Sequence, residues 1–295
     1  MLWIVATLIA AAAQTARNAM QSSLTAALGT LGAAQVRFLY GLPFALLFLA
    51  LAAAVADAPL PAPTAPFFVY TVGGALAQIA GTVLLLAAIH AGSFSLATAF
   101  TKTEPVQVAI FAFAVLGERL PPLAVGAIVI ATAGVVLAAW RAPAASGRRS
   151  AAAVVFGVAS GAFFALAAVG FRGGILALGE GAPYLRATTA LAWSLGIQAA
   201  LLGAWMAAFH RAAFTASLLR WRESFVAGFM GALASQFWFL GFSLTAAANV
   251  RTLALIEVLF AHAVGRRLFG ERASRREALG MALVVAGVAL LLASA

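Results

Sequence analysis

The chain has 295 residues, of which 64% are hydrophobic and only 9% charged, and its mean hydropathy is +1.05. A soluble domain carries about 25% charged residues, so this composition describes an integral membrane protein and not a large soluble core. The net charge of +10 comes from arginines flanking apolar segments, where they meet anionic headgroups rather than nucleic acid; with no cysteine, disulfide frameworks, iron–sulfur clusters and thiol chemistry are excluded.

A helix needs about 20 apolar residues to cross the hydrocarbon. On that measure ten spans are predicted, at about 2–22, 33–56, 67–90, 93–116, 121–140, 152–178, 183–209, 223–244, 247–268 and 276–294. The N-terminal Met1-Leu2-Trp3-Ile4 lacks the basic region of a cleavable signal peptide, so the first apolar run reads as span 1. Breakers separate the spans: Asp57 to Pro63 before span 3, Pro121-Pro122 before span 5, and Pro183 at the start of span 7, where a missing N–H costs little. Residues 143–150, with Pro143, Arg148 and Arg149, read as a linker between a first block, 1–142, and a second, 151–295.

The two blocks repeat each other in order. Arg17 answers Arg172, Gly32-Ala33 with Arg37 answers Gly181-Ala182 with Arg186, and Gly74-Ala75-Leu76-Ala77 answers Gly231-Ala232-Leu233-Ala234. Glu104 answers Glu257, each followed thirteen residues later by Gly-Glu-Arg (Gly117-Glu118-Arg119 and Gly270-Glu271-Arg272), and Ala133-Gly134-Val135 answers Ala286-Gly287-Val288. One such match in an Ala/Leu-rich chain means nothing, but five in the same order mean a duplication. Five spans is an odd number, so the second block enters the membrane from the opposite side. The expected fold is all-α: ten transmembrane helices as two inverted five-helix repeats, with a site at the midplane and Glu104 superposing on Glu257.

On the 5+5 plan, the Gly-Glu-Arg ends of spans 4 and 9 and the Ala-Gly-Val helices 5 and 10, the chain resembles the ten-helix, EamA-type members of the drug/metabolite transporter superfamily. The resemblance covers essentially the whole chain. It implies a secondary transporter, most often an exporter of amino acids or similar metabolites, with spans 1, 3, 4, 6, 8 and 9 around a central cavity.

Charge is scarce enough to locate chemistry. Of eight acidic residues only Glu104 and Glu257 lie mid-span, and Lys102, the single lysine, lies there too, with Arg251. A charge at that depth costs at least about 2.5–3.5 kcal/mol on the lenient insertion scales. With one lysine there is no Walker-type motif, and the three histidines, His90, His210 and His262, lack metal-ligand spacing. No enzyme, cofactor or metal site is therefore expected. Lys102 and Glu104 are two residues apart, about 200° around a helix, and Arg251 and Glu257 are six apart, so neither pair shares a face. The economical solution has Lys102 or Arg251 facing a glutamate of the other block. The bland alternative is that the four charges only pin spans 4 and 9 together. Pro105 removes a helix hydrogen bond and frees the Thr101 carbonyl beside Glu104; its counterpart is Val258, so this break is expected in one block only.

Gln14, Asn18 and Gln21 form one polar stripe on span 1, span 3 adds Gln78 and Thr82, and span 8 adds Ser235 and Gln236 beside Trp238. The expected substrate contacts are thus Gln14, Asn18, Gln78, Lys102, Glu104, Gln236, Trp238, Arg251 and Glu257. Glu104 and Glu257 are the candidates for proton coupling, Glu104 favoured because Pro105 loosens its helix. Membrane phenylalanines such as Phe164 and Phe171 read as packing, His90 and His262 as interfacial, and Gly157 and Gly161 as close-packing positions in the bundle. The arginine distribution places both termini in the periplasm: twelve basic residues on loops or their helix ends lie on one side against Arg119, Arg172 and Arg186 on the other. The functional expectation is a bacterial-type inner-membrane secondary transporter, a monomer or weak homodimer among lipids, exporting an amino acid or related small zwitterion. An exporter of drugs or lipid-linked sugars and a non-transporting accessory subunit are the competing readings.

Overall fold

The computed structural model describes residues 1–91, 97, 100–139, 151–260 and 274–294, the side chains of 18–27 and 30 excepted. The linker 143–150, His262 and Gly270-Glu271-Arg272 lie outside the described residues, as do the side chains of Asn18 and Gln21. Eleven α-helices are described: α1 Leu2–Leu39, α2 Leu42–Ala56, α3 Ala65–Ala91, α4 Glu104–Leu116, α5 Pro122–Ala139, α6 Ala151–Ala177, α7 Pro183–Phe209, α8 Arg211–Leu219, α9 Trp221–Leu244, α10 Ala247–Leu253 and α11 Arg275–Ser294. Among the described residues six stretches are long and apolar enough to cross a membrane: Leu31–Ala56, Ala65–Ala91, Ala151–Ala177, Pro183–Phe209, Trp221–Leu244 and Arg275–Ser294. Shorter apolar helices cover Leu2–Arg17, Glu104–Leu116 and Pro122–Ala138. The described residues are all-helical, and the protein is an integral membrane protein.

Local chemistry explains where several helices begin and end. Gly117, at φ 68°, closes α4 as its N–H reaches the Phe113 carbonyl and the Glu118 N–H reaches Ala112. This is the glycine-terminated helix end that satisfies otherwise orphaned carbonyls, so the Gly-Glu-Arg signature is here a stop signal. At the start of α11, Ser274 and Glu277 cap each other's backbone N–H groups at 2.7 and 3.2 Å, a capping box read directly from Ser-x-x-Glu.

Gly29 interrupts α1 at φ 67°, ψ 176°, a conformation reserved for glycine. The stems of Arg17 and Arg37 both lie against Gly231: a Cβ there would meet Arg37 Cγ at 3.4 Å and Arg17 Cδ at 3.6 Å. In a straight helix those arginines would stand about 30 Å apart, so the chain reverses at Gly29. That reversal divides spans 1 and 2, within the interval left between them by the apolar pattern. Span 2 is itself broken at Tyr40-Gly41, ahead of Pro43 in the first turn of α2. Arg37, in the last turn of α1, lies half-buried against Gly231, and Arg172 lies inside α6, its guanidinium donating to the Phe242 carbonyl oxygen. The short α8, in the loop after span 7, was not expected.

The chain packs as two compact units, each drawing on both blocks: residues 1–79 with 170–245, and residues 80–169 with 246–295. In the first, α1 packs along α9, and α6 approaches α3 so closely that a Cβ on Gly170 would sit 2.8 Å from the Tyr70 carbonyl oxygen. In the second, α5 and α11 are in backbone contact. A Cβ on Gly134 would meet the Gly280 carbonyl oxygen and the Val284 N at 2.7 Å. One on Gly287 would meet the Ala131 N at 2.6 Å and the Ala127 carbonyl oxygen at 2.8 Å. The interval from Glu104 to Glu257 carries Gly134 onto Gly287, Ala127 onto Gly280 and Ala131 onto Val284, so these contacts are reciprocal. Gly157 and Gly161 also meet neighbours within this unit, Phe100 Cβ and the Thr101 carbonyl oxygen, each at 2.9 Å from a built Cβ.

Candidate functional site

The four mid-span charges all fall in the second unit, at interruptions of two helices. Lys102 and Thr103 form a turn immediately before α4, whose first turn holds Glu104 and Pro105. On the other side α10 ends with Arg251 in its last turn, a 3₁₀ turn follows at Ala254–Ile256, and helix resumes with Glu257. The expectation of a break in one block only is corrected: both are interrupted at corresponding positions. Proline produces the first by removing an N–H. The second keeps every N–H and tightens to i→i+3 bonding, which needs no proline.

These interruptions place charges where helix ends favour them. Glu104 sits at the positive N-terminal end of α4 and Arg251 at the negative C-terminal end of α10. The side chains pair crosswise: Arg251 Nε lies 3.0 Å from Glu104 Oε1, and Lys102 Nζ is bonded to Glu257 Oε1. Each ion pair therefore joins the two sequence blocks. The glutamate side chains are both 12% exposed, Arg251 17% and Lys102 22%. At an effective dielectric of about 20, opposite charges 3 Å apart attract by about 5 kcal/mol, comparable with the several kcal/mol needed to desolvate each ion. The pairs are thus close to balanced while intact, and costly to leave half-made.

The glutamates correspond between the blocks, but the cations do not: the position matching Lys102 is Leu255, and that matching Arg251 is Thr98. One pair is carboxylate–ammonium, the other carboxylate–guanidinium. A small polar group adjoins them. Thr101 Oγ1 donates to the Ala97 carbonyl oxygen at 2.9 Å, and Gln107 Nε2 donates to Thr103 Oγ1 at 3.1 Å and to the Val158 carbonyl oxygen at 3.4 Å. Gln107 was missed by the sequence reading, although it lies one turn beyond Glu104 on α4 and opposite the small residue Gly161.

The remaining expected contacts lie in the first unit. Trp238 Nε1 donates to Gln14 Oε1 at 3.2 Å, and Gln236 Nε2 donates to Thr188 Oγ1 at 2.8 Å. Gln78 is buried on α3, and Asn18 is on α1 with its side chain outside the description. The expected residues thus fall into two groups, one per unit. Phe171 stacks on Phe239 at 4.9 Å, and Phe164 fills the notch at Gly81. His90 is exposed, its Nδ1 2.8 Å from the Leu86 carbonyl oxygen. Thr188 and the Arg17–Arg37 convergence were not anticipated; the sequence had marked Arg17 and Arg37 only separately, as repeat matches of Arg172 and Arg186.

The model of the EamA-like transporter family matches residues 1–140. Residues 1–140, just under half of the chain, thus resemble that family. The EamA match ends where α5 ends, at the close of the first five predicted spans. No curated protein matches the sequence. Among solved structures, a crystal structure described only as that of a protein is similar over 100% of this chain and 98% of its own, with 19% sequence identity and a TM-score of 0.72. At that identity the likeness concerns the fold alone.

Proposed function

We propose that the protein is a ten-span secondary transporter built from two inverted repeats, and that it exports an amino acid or related zwitterion across a bacterial-type inner membrane by alternating access. The EamA-like segment supports transport as such, and its boundary supports a five-span repeat as the unit of duplication. The reciprocal Gly134 and Gly287 contacts support a two-fold relation between the repeats.

The observation that carries the reading is the crossed pair of ion pairs. Intramembrane charges are rare and mark substrate or ion pathways by default. Two carboxylates and two cations at paired helix interruptions match the ammonium and carboxylate of a zwitterion, each end of which can replace one intramolecular partner. Interrupted helices facing one another are the usual source of such groups in secondary transporters. The same reading assigns Gln14, Gln78, Gln236 and Trp238 to polar substrate contact within their own unit.

The test is binding of a tritiated mixture of the twenty amino acids to the purified, detergent-solubilised chain in a scintillation-proximity assay. Saturable binding displaced by unlabelled amino acids is expected, weakened about tenfold or more in Arg251→Met, the loss of one charged contact. Binding absent in the folded wild type, or unchanged in the variant, would reject a zwitterion site at these residues.

A further inference from the structure

The two ion pairs look alike and differ in one chemical respect. An ammonium can hand its proton to a carboxylate and leave two neutral groups, whereas a guanidinium holds its proton in proteins. From the crossed pairing we infer that Lys102–Glu257 is the proton-carrying latch of the cycle, and that Arg251–Glu104 is a permanent ionic brace. The inference rests on the transporter reading above and assigns its coupling residues. Pro105 pointed towards Glu104 in the sequence; the identity of the partners points towards Glu257.

Among the described residues, the titratable and charged groups on the surrounding elements are as follows. Lys102 faces it from the turn before α4, and Arg251 in the preceding helical segment is engaged with Glu104. α5 and the segment of α6 in the same unit carry no titratable side chain. On α3, His90 is exposed; Arg275, Arg276 and Glu277 lie in the first turn of α11, and Glu118 and Arg119 follow the far end of α4.

The step balances as follows. One Nζ–H bond of Lys102 breaks and one O–H bond forms on Glu257, giving a neutral amine and a carboxylic acid. Separating neutral partners in low dielectric avoids the penalty of isolating two ions, so the latch opens without creating unpaired charge. Once apart, the acid releases its proton to water on one side and the amine takes one from water on the other, restoring both charges. One proton enters and one leaves per opening, and the protein ends with the protons it began with. Arg251–Glu104 has no equivalent route, so it opens only by exchange of partners.

The experiment is infrared difference spectroscopy on the full chain in liposomes, reading the C=O stretch of a protonated carboxyl group as pH is varied, beside accumulation of the tritiated amino-acid mixture under an imposed pH gradient. A protonated-carboxyl component beyond those of the loop acids is expected in the wild type, absent in Glu257→Gln and in Lys102→Arg, and still present in Glu104→Gln. Lys102→Arg keeps the charge and the pair, so it guards against loss through misfolding. In Lys102→Arg the ratio of accumulation with the gradient to accumulation without it should fall to one. That component surviving in Glu257→Gln or Lys102→Arg, or disappearing in Glu104→Gln, overturns the assignment while leaving the transport reading in place. A band assigned to Glu257 with no amino-acid movement in the wild type overturns the transport reading and leaves the protonation assignment standing.

Discussion

Lys102 is the chain's one lysine, and its bond to Glu257 has a definite energetic signature. Removing one partner of a buried ion pair leaves an uncompensated charge, at a cost of about 3–5 kcal/mol, whereas replacing both with apolar groups of similar volume is neutral or stabilising. Lys102→Met alone should therefore lower the thermal unfolding midpoint strongly, and Lys102→Met with Glu257→Met should bring it back to near the wild-type value. Two additive losses in unfolding measured by tryptophan fluorescence would mean that the two charges are not coupled. At this scale the sequence carried the principle of the pairing. Two- and six-residue separations forbid contact on one helix face, so the partners had to come from the other block. With one mid-span glutamate in each block, that rule also names the partners; what it left open was whether one pair or both would form.

At the level of helices, legibility followed whether a break has a chemical marker. Pro105 marks the interruption before α4, and Pro183 marks the start of α7 at the expected residue. The 3₁₀ turn at Ala254–Ile256 lacks proline, glycine or any lost donor, and so was invisible. α8, with nine residues and no distinctive composition, vanished into a loop for a similar reason. Gly29 shows what a marked position does: at φ 67°, ψ 176° it reverses the chain and lets Arg17 and Arg37 converge on Gly231. A Cβ at Gly29 would meet nothing within 4 Å, so Gly29→Ala isolates the backbone cost from any clash. That substitution should destabilise the protein by about 1–3 kcal/mol, seen as a lower unfolding midpoint. An unchanged midpoint would mean that the reversal does not depend on a glycine-only conformation.

Over the whole molecule, the proposed duplication is written in the sequence as order rather than as any single residue. The compact units do not follow the linear blocks: each takes helices from both. Within the second unit, equivalent positions meet one another's counterparts, as Gly134 meets Gly280 and Val284 while Gly287 meets Ala127 and Ala131. The carboxylates obey the same correspondence and their cations depart from it, which is how nearly equal halves can hold chemically unequal ion pairs. Small residues let the helices approach, and under the proposed cycle the difference between ammonium and guanidinium would give coupling a direction that a perfectly repeated structure would lack.

The central claim is that these crossed ion pairs serve transport and do not merely join helices. The most direct measurement is counterflow in proteoliposomes preloaded with unlabelled amino acids, comparing the wild type with the Lys102→Met/Glu257→Met double variant, whose stability is expected to match. Wild-type protein should accumulate the tritiated amino-acid mixture well above protein-free liposomes, and the folded double variant should not. Counterflow at the wild-type rate in the double variant would contradict the account and leave the charges as a structural pin.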